Sequence, residues 1–263
     1  SFIAMFLFRL FMVSLLAILF MTHSPAVVAE IVKGPYLQNV KPSSITVCWE
    51  SKDAVQSQIL FVPVDDGGPR TGQRSLNMPA KRFNEVTITA LTPGTRYKYM
   101  VKQLDGDHSA GSFRTAPGAP VPFRFAAYGD CRSNHYVHSR NLEQMRQYYP
   151  EFVLNTGDLV NKGLNQADWD FFWDALGDFA ADVPYYPSLG NHEQDSPLYY
   201  QYFSLPRNGK EERYYSFTYG NVFFAALDSN SPHFILNDQK NWLREQLAAA
   251  RDYDFKVLFF HHP

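Results

Sequence analysis

The sequence predicts a β-sandwich followed by an α/β domain. Two patterns carry that reading. From Ile31 to Thr115, short alternating apolar runs are separated by turns, with no stretch of helical periodicity. From Phe123 onward, apolar strands alternate with amphipathic helical segments, the pattern of layered α/β architecture. Between them, Pro117-Gly118-Ala119-Pro120-Val121-Pro122 reads as a linker. The boundaries follow: 1–29 a leader, 30–116 the sandwich, 117–122 the linker and 123–263 the α/β domain.

Composition narrows the function. The 263 residues carry 24 Lys+Arg against 26 Asp+Glu, a net charge of −2, so there is no basic excess to neutralise a nucleic-acid backbone. An aromatic content of 16% supplies a large core. Two cysteines, Cys48 and Cys131, exclude a disulfide scaffold and a cysteine-based zinc ribbon. They fall in different domains and are not expected to pair.

The first thirty residues read as an address. Arg9 precedes a 12-residue run, Leu10–Met21, broken only by Ser14; Ser24-Pro25 and the small residues up to Ala29 follow. Basic residue, short apolar region and small-residue site are the signature of a secretory signal peptide, with cleavage expected after Ala29. That predicts a secreted or periplasmic protein with no stable membrane partner after cleavage. The rival is an N-terminal membrane anchor.

In the sandwich, Ser44–Glu50 and Gln58–Val62 read as two strands, the second ended by Pro63. Glu85–Thr89, Arg96–Val101 and Gly111–Thr115 are three more, with Leu91–Thr95 a turn. Trp49 and Tyr97 are expected to pack rather than to bind.

In the α/β part, Phe123–Tyr128 is a strand ending at Gly129-Asp130, and a helix follows from about Asn134 to Tyr149. His135 and His138 are expected on its surface. Phe152–Thr156 ends at Gly157-Asp158. Trp169, Phe172, Trp173 and Leu176 make an amphipathic helix capped by Asn165. Val183–Leu189 runs into Gly190-Asn191-His192-Glu193, and Phe255–Phe260 into His261-His262-Pro263. Tyr214–Tyr219 and Val222–Leu227 form an antiparallel pair, and Asp238–Ala250 a helix. Asp130, Asp158, Asn191 and His261 thus stand at carboxyl ends of strands, where α/β sheets gather their ligands. Carboxylates, an amide oxygen and an imidazole suit Fe, Zn or Mn, and a carboxylate can bridge two such ions. Tyr128, Tyr199 and Tyr200 are expected in the core or at the rim.

The ordered series Gly-Asp, Gly-Asp, Gly-Asn-His-Glu and Val257-x-x-x-His261-x-Pro263 resembles the calcineurin-like metallophosphoesterases. Trp49, the Leu91–Thr95 turn, Tyr97 and Tyr99 resemble a fibronectin type III domain. With the opening Lys33–Gln38 segment, they point to the purple acid phosphatase branch, which carries such a domain at its amino terminus. The resemblance implies an α/β/β/α sandwich, incomplete at the C-terminus. It implies two metal ions, with Asp130 a ligand of the first, Asp158 bridging, and Asn191 and His261 ligands of the second. It implies hydrolysis of small-molecule phosphate esters by in-line attack of a metal-bound hydroxide. His192 would contact phosphate or protonate the leaving oxygen. Two residues depart from the branch. Asn161 replaces its tyrosine, so no purple colour is expected, and Asn161 is retained as a ligand through its amide. Arg132 follows the first Asp by two and suits bidentate contact with phosphate. The family's Gly-His-x-His segment does not occur, so part of the site is expected to be missing. The alternative is a degenerate relative serving as a cell-surface binding module.

Overall fold

The computed structural model describes residues 30–65, 68–69, 72–104, 106–230 and 237–263; the leader expected over residues 1–29 lies outside them. The first part is built from β1 (Ile31–Gln38), β2 (Ile45–Asp65), β3 (Gly68–Pro69), β4 (Arg74–Ile88), β5 (Arg96–Gln103) and β6 (His108–Arg114). All of its pairings are antiparallel. The start of β2 lies between β1 and the end of β4, as in Cys48 opposite Tyr36 and Ile45 opposite Ile88. Its second half lies between β5 and the start of β4, as in Phe61 opposite Tyr99 and Arg74. Register shifts between Glu50 and Ser57 separate the halves, so one long strand serves both faces of the sandwich.

This corrects the sequence reading, which split β2 into two strands ending at Pro63. Pro63 is tolerated because it falls where pairing with β4 has ended at Phe61. Trp49, Ile45, Val47, Ile59, Phe61 and Val101 are buried. The Tyr97 hydroxyl accepts the Thr92 N–H at 3.0 Å, pinning the turn before its own strand. Cys48 and Cys131 are both free.

The second part contains β7 (Ala126–Tyr128), α1 (His135–Arg146), β8 (Val153–Asn155), α2 (Gln166–Leu176), α3 (Phe179–Asp182) and β9 (Tyr185–Pro187). A 3₁₀ turn at Asn191–Glu193 follows, then α4 (Pro197–Tyr202), β10 (Tyr215–Tyr219), β11 (Val222–Ala226), α5 (Asn237–Ala249) and β12 (Phe255–Phe259). Strands β7, β8 and β9 form a parallel sheet. In the second sheet β10 is antiparallel and β12 parallel to β11. The sheets face each other through aromatic rings: Tyr186 stacks on Phe217 at 4.0 Å, and Phe152 meets Phe224 edge-on at 5.2 Å. Helices α1 and α2 cover the first sheet, with Phe172 against Tyr185 and His138. Helix α5 covers the second, with Trp242, Leu243 and Leu247 on Phe223 and Ala225. The layers run α/β/β/α.

Local signals place the helices. Asn165 accepts the Ala167 N–H at 3.2 Å and caps α2. Asn134 accepts the Val137 N–H at 3.1 Å and caps α1. The expectation that His138 lies on the surface is overturned. His138 is 2% exposed, and its Nε2 is 2.7 Å from the Tyr128 hydroxyl. It sits one turn into α1, on the face that packs against α2 and the sheet.

The two parts are joined by hydrogen bonds as well as packing. Tyr36 and Tyr99 donate to the carbonyls of Tyr202 and Ala181 at 2.6 and 2.9 Å. The Tyr186 hydroxyl accepts the Val40 N–H at 2.8 Å. Lys33 bridges Glu50 of the sandwich and Asp170 of α2, 2.8 Å from each. Among the described residues no helix is long and apolar enough to cross a membrane.

Candidate metal centre

Strands β7 and β8 each end in a Gly-Asp step, and the chain must leave the sheet there. Asp130 and Asp158 do so with φ of 54° and 57°. This left-handed conformation is one that Asp tolerates better than most residues. Strand β9 leads into the 3₁₀ turn that carries Asn191 and His192, and β12 leads to His261.

The ends converge. One ligand atom each from Asp130, Asp158 and His261 lies within 4.8 Å of the others. Asp158 is buried, with its Oδ1 3.4 Å from His261 Nε2. Asn191 Oδ1 is 3.2 Å from the same nitrogen. His261 Nδ1 lies 2.9 Å from the Thr156 carbonyl, which can only accept, so that nitrogen carries the proton. The Nε2 of His261 is thereby aimed at Asn191 Oδ1 and Asp158 Oδ1, 3.2 and 3.4 Å away. A set of carboxylate, amide and imidazole donors with the imidazole oriented from behind fits a metal ion.

Arg132, His192 and Asn161 are placed around this cluster. Arg132 Nε donates to Asp158 Oδ2 at 2.8 Å, and its side chain is half-buried. The His192 N–H donates to Asp158 Oδ1 at 3.1 Å. Its Nδ1 donates to the Asn161 carbonyl at 2.6 Å, and its Nε2 is 4.0 Å from Asp158 Oδ2. Asn161 is exposed and enters the network through its main chain. Tyr199 is buried in the core, and Tyr200 donates to Asp195 at 2.5 Å.

Two residues were not singled out from the sequence. Glu193 is fully buried beside the candidate ligands, and burial pushes its carboxyl up to about 7 against the pull of backbone N–H donors. The available signal was spacing: a Glu three positions after the cap of a helical turn reaches back to the cap's N–H. Arg213 donates to Asp228 at 3.0 Å and to Asp195, and Asn230 donates to both Asp228 and Leu189, bracing the same turn. No local pattern marks an arginine for such a task.

The comparisons with known proteins place the chain in a family. The calcineurin-like phosphoesterase family matches residues 123–263. An uncharacterized protein of Mycobacterium tuberculosis is 26% identical over 88% of this chain and 54% of its own length. Purple acid phosphatase 21 of Arabidopsis thaliana is 29% identical over 69% of this chain and 44% of its own length. The chain thus spans about half the length of these curated relatives. Among solved structures, the purple acid phosphatase PPD1 from yellow lupin superposes with a TM-score of 0.67 at 17% identity. It covers 85% of this chain and 50% of the lupin chain. PhoD superposes equally well, over 60% of its own length. The strand-end ligand cluster lies within the matched residues, and the chain belongs to the calcineurin-like phosphoesterase family, as a homologue of the purple acid phosphatases.

Proposed function

We propose that the protein is an exported, metal-dependent phosphoesterase that uses two metal ions, drawn from Fe, Mn and Zn, to hydrolyse small-molecule phosphate esters. The observation that carries this reading is the convergence of Asp130, Asp158 and His261 from three separate strand ends to within 4.8 Å. Family membership supports it.

Asp130, Asp158, Asn191 and His261 would hold the ions, with Asp158 shared. Asn161 is retained as a further candidate ligand. When bound, the metals supply an activated water and stabilise charge on the phosphoryl oxygens. The remaining work falls to side chains. His192 is anchored through Nδ1, so Nε2 is the atom that faces substrate. In its protonated form, Nε2–H donates to phosphate or gives its proton to the leaving oxygen. Arg132 is anchored through Nε, and its other donors suit two oxygens of the phosphoryl group.

The test is metal analysis and turnover of aryl phosphate mono- and diesters. Asp158→Asn is expected to lower metal content and activity together, by at least about 100-fold. Unchanged turnover and metal content would overturn the assignment.

A further inference from the structure

We infer that Glu193 is a positioning residue: its carboxylate clamps the loop carrying Asp158 to the turn carrying Asn191 and His192, and so sets the spacing between ligands. The inference rests on the metal site proposed above.

The geometry is fully used. Glu193 Oε2 accepts the N–H of Gly190 at 2.6 Å and of Asp158 at 2.9 Å. Oε1 accepts those of Leu159 at 2.8 Å and Val160 at 3.3 Å. A carboxylate has about four lone-pair sites, and four backbone donors fill them. Three donors come from the segment after β8 and one from the segment after β9, so this side chain joins two loops that are otherwise linked through His192, by its bonds to Asp158 and Asn161 and by the Gly163 N–H on its carbonyl. All of it is buried, so no water stands ready to replace a lost bond, and unpaired buried N–H groups are strongly disfavoured.

The loops are shaped for this closeness. A Cβ on Gly190 would lie 2.2 Å from Asp158 Oδ1 and 2.3 Å from its nitrogen. A Cβ on Gly157, whose φ is 93°, would lie 2.7 Å from the Gly190 nitrogen. The two glycines remove the steric barrier between the loops, and Glu193 supplies the attraction. Glutamine cannot do the same, because its NH₂ group would face two backbone donors that need an acceptor. Aspartate keeps both acceptor oxygens on a shorter stem.

The experiment measures Mn²⁺ affinity by calorimetry and amide hydrogen exchange by NMR on the purified chain and its variants. Glu193→Gln is expected to weaken Mn²⁺ binding by about 10–100-fold and to speed exchange at Asp158, Leu159, Val160 and Gly190. Glu193→Asp should recover part of both. A Gln variant with wild-type affinity and wild-type protection overturns the inference. Should that variant not fold, the wild-type protein decides: these loop amides must be protected like strand amides, and free exchange at them overturns the clamp. Asp158→Asn separates the two readings, since it should lose Mn²⁺ while the four amides stay protected. A wild-type chain that binds none of Mn²⁺, Zn²⁺ and Fe²⁺ but protects these amides refutes the metal site and leaves the clamp between the loops standing.

Discussion

The sandwich and the strand-end cluster arrange their charged side chains differently. In the sandwich, Glu50 is 2% exposed and is met by Lys33 at 2.8 Å and Arg82 at 2.7 Å. Gln103 donates to Ser51 at 2.7 Å, and the Tyr97 hydroxyl takes the Thr92 N–H. These pairings tie polar side chains into the architecture, while the buried Trp49 Nε1 is held by packing alone. At the strand ends, Asp130, Asp158 and His261 instead bring one donor atom each to within 4.8 Å of the others, with Arg132 on Asp158 at 2.8 Å. Left-handed non-glycine residues also gather there, at Asp130, Asp158, Gln194 and Asp195. In the sandwich the comparable residues, Asn39 and Ala90, sit in connections between strands. Carboxylates and an imidazole brought together on left-handed backbone form the pattern expected of a ligand site rather than of a stabilising core.

The contrast can be broken most forcefully at Trp49. Trp49→Ala empties a buried site and is expected to lower stability by about 3–5 kcal/mol, read by urea or thermal denaturation. Metal affinity of the protein that remains folded should not change. A loss of metal affinity in step with stability would mean the two regions are not separable.

A second test uses pH. Burial pushes His138 down to about 4, while in the unfolded chain it titrates near 6.5. Between those values the unfolded state binds more protons, so stability is present above pH 6.5 and is lost as pH falls towards 4. The loss is up to about 3 kcal/mol. His138→Gln keeps an acceptor for the Tyr128 hydroxyl and should flatten that acid limb. An unchanged limb would assign it to other groups.

The smallest effect sharpens the contrast from the other side. His261→Ala removes one of the three converging donor atoms. Metal affinity should fall by about 10–100-fold, while the melting temperature of the metal-free protein should hold or rise, as expected where function is kept at the expense of stability. A clear fall in that temperature would return His261 to the class of packing residues.

Periodicity and turn chemistry located most elements, since those signals are local. Asn165 caps α2, and β10 and β11 flank Gly220-Asn221. The errors came where long-range pairing overrode local punctuation. Strand β2 runs through Pro63 because its pairing with β5 continues there after pairing with β4 has ended at Phe61, and His138 is buried because α2 lies over its face of α1. At the candidate site, Asp130, Asp158, Asn191 and His261 were legible because each follows an apolar strand. Glu193 and Arg213 were not, because their partners come from distant segments.

The two-part architecture, the approximate strand ends and the residue types placed on them can be read along the chain, because each depends on the order of apolar, turn-forming and polar residues. Which of those residues meet is settled by the folded molecule. It turned Asp158 towards His261 through a left-handed step, fixed the His261 tautomer with the Thr156 carbonyl, and drew two loops together on the Glu193 carboxylate. Contacts of that kind depend on how sheets stack and where loops end, and no local pattern encodes them.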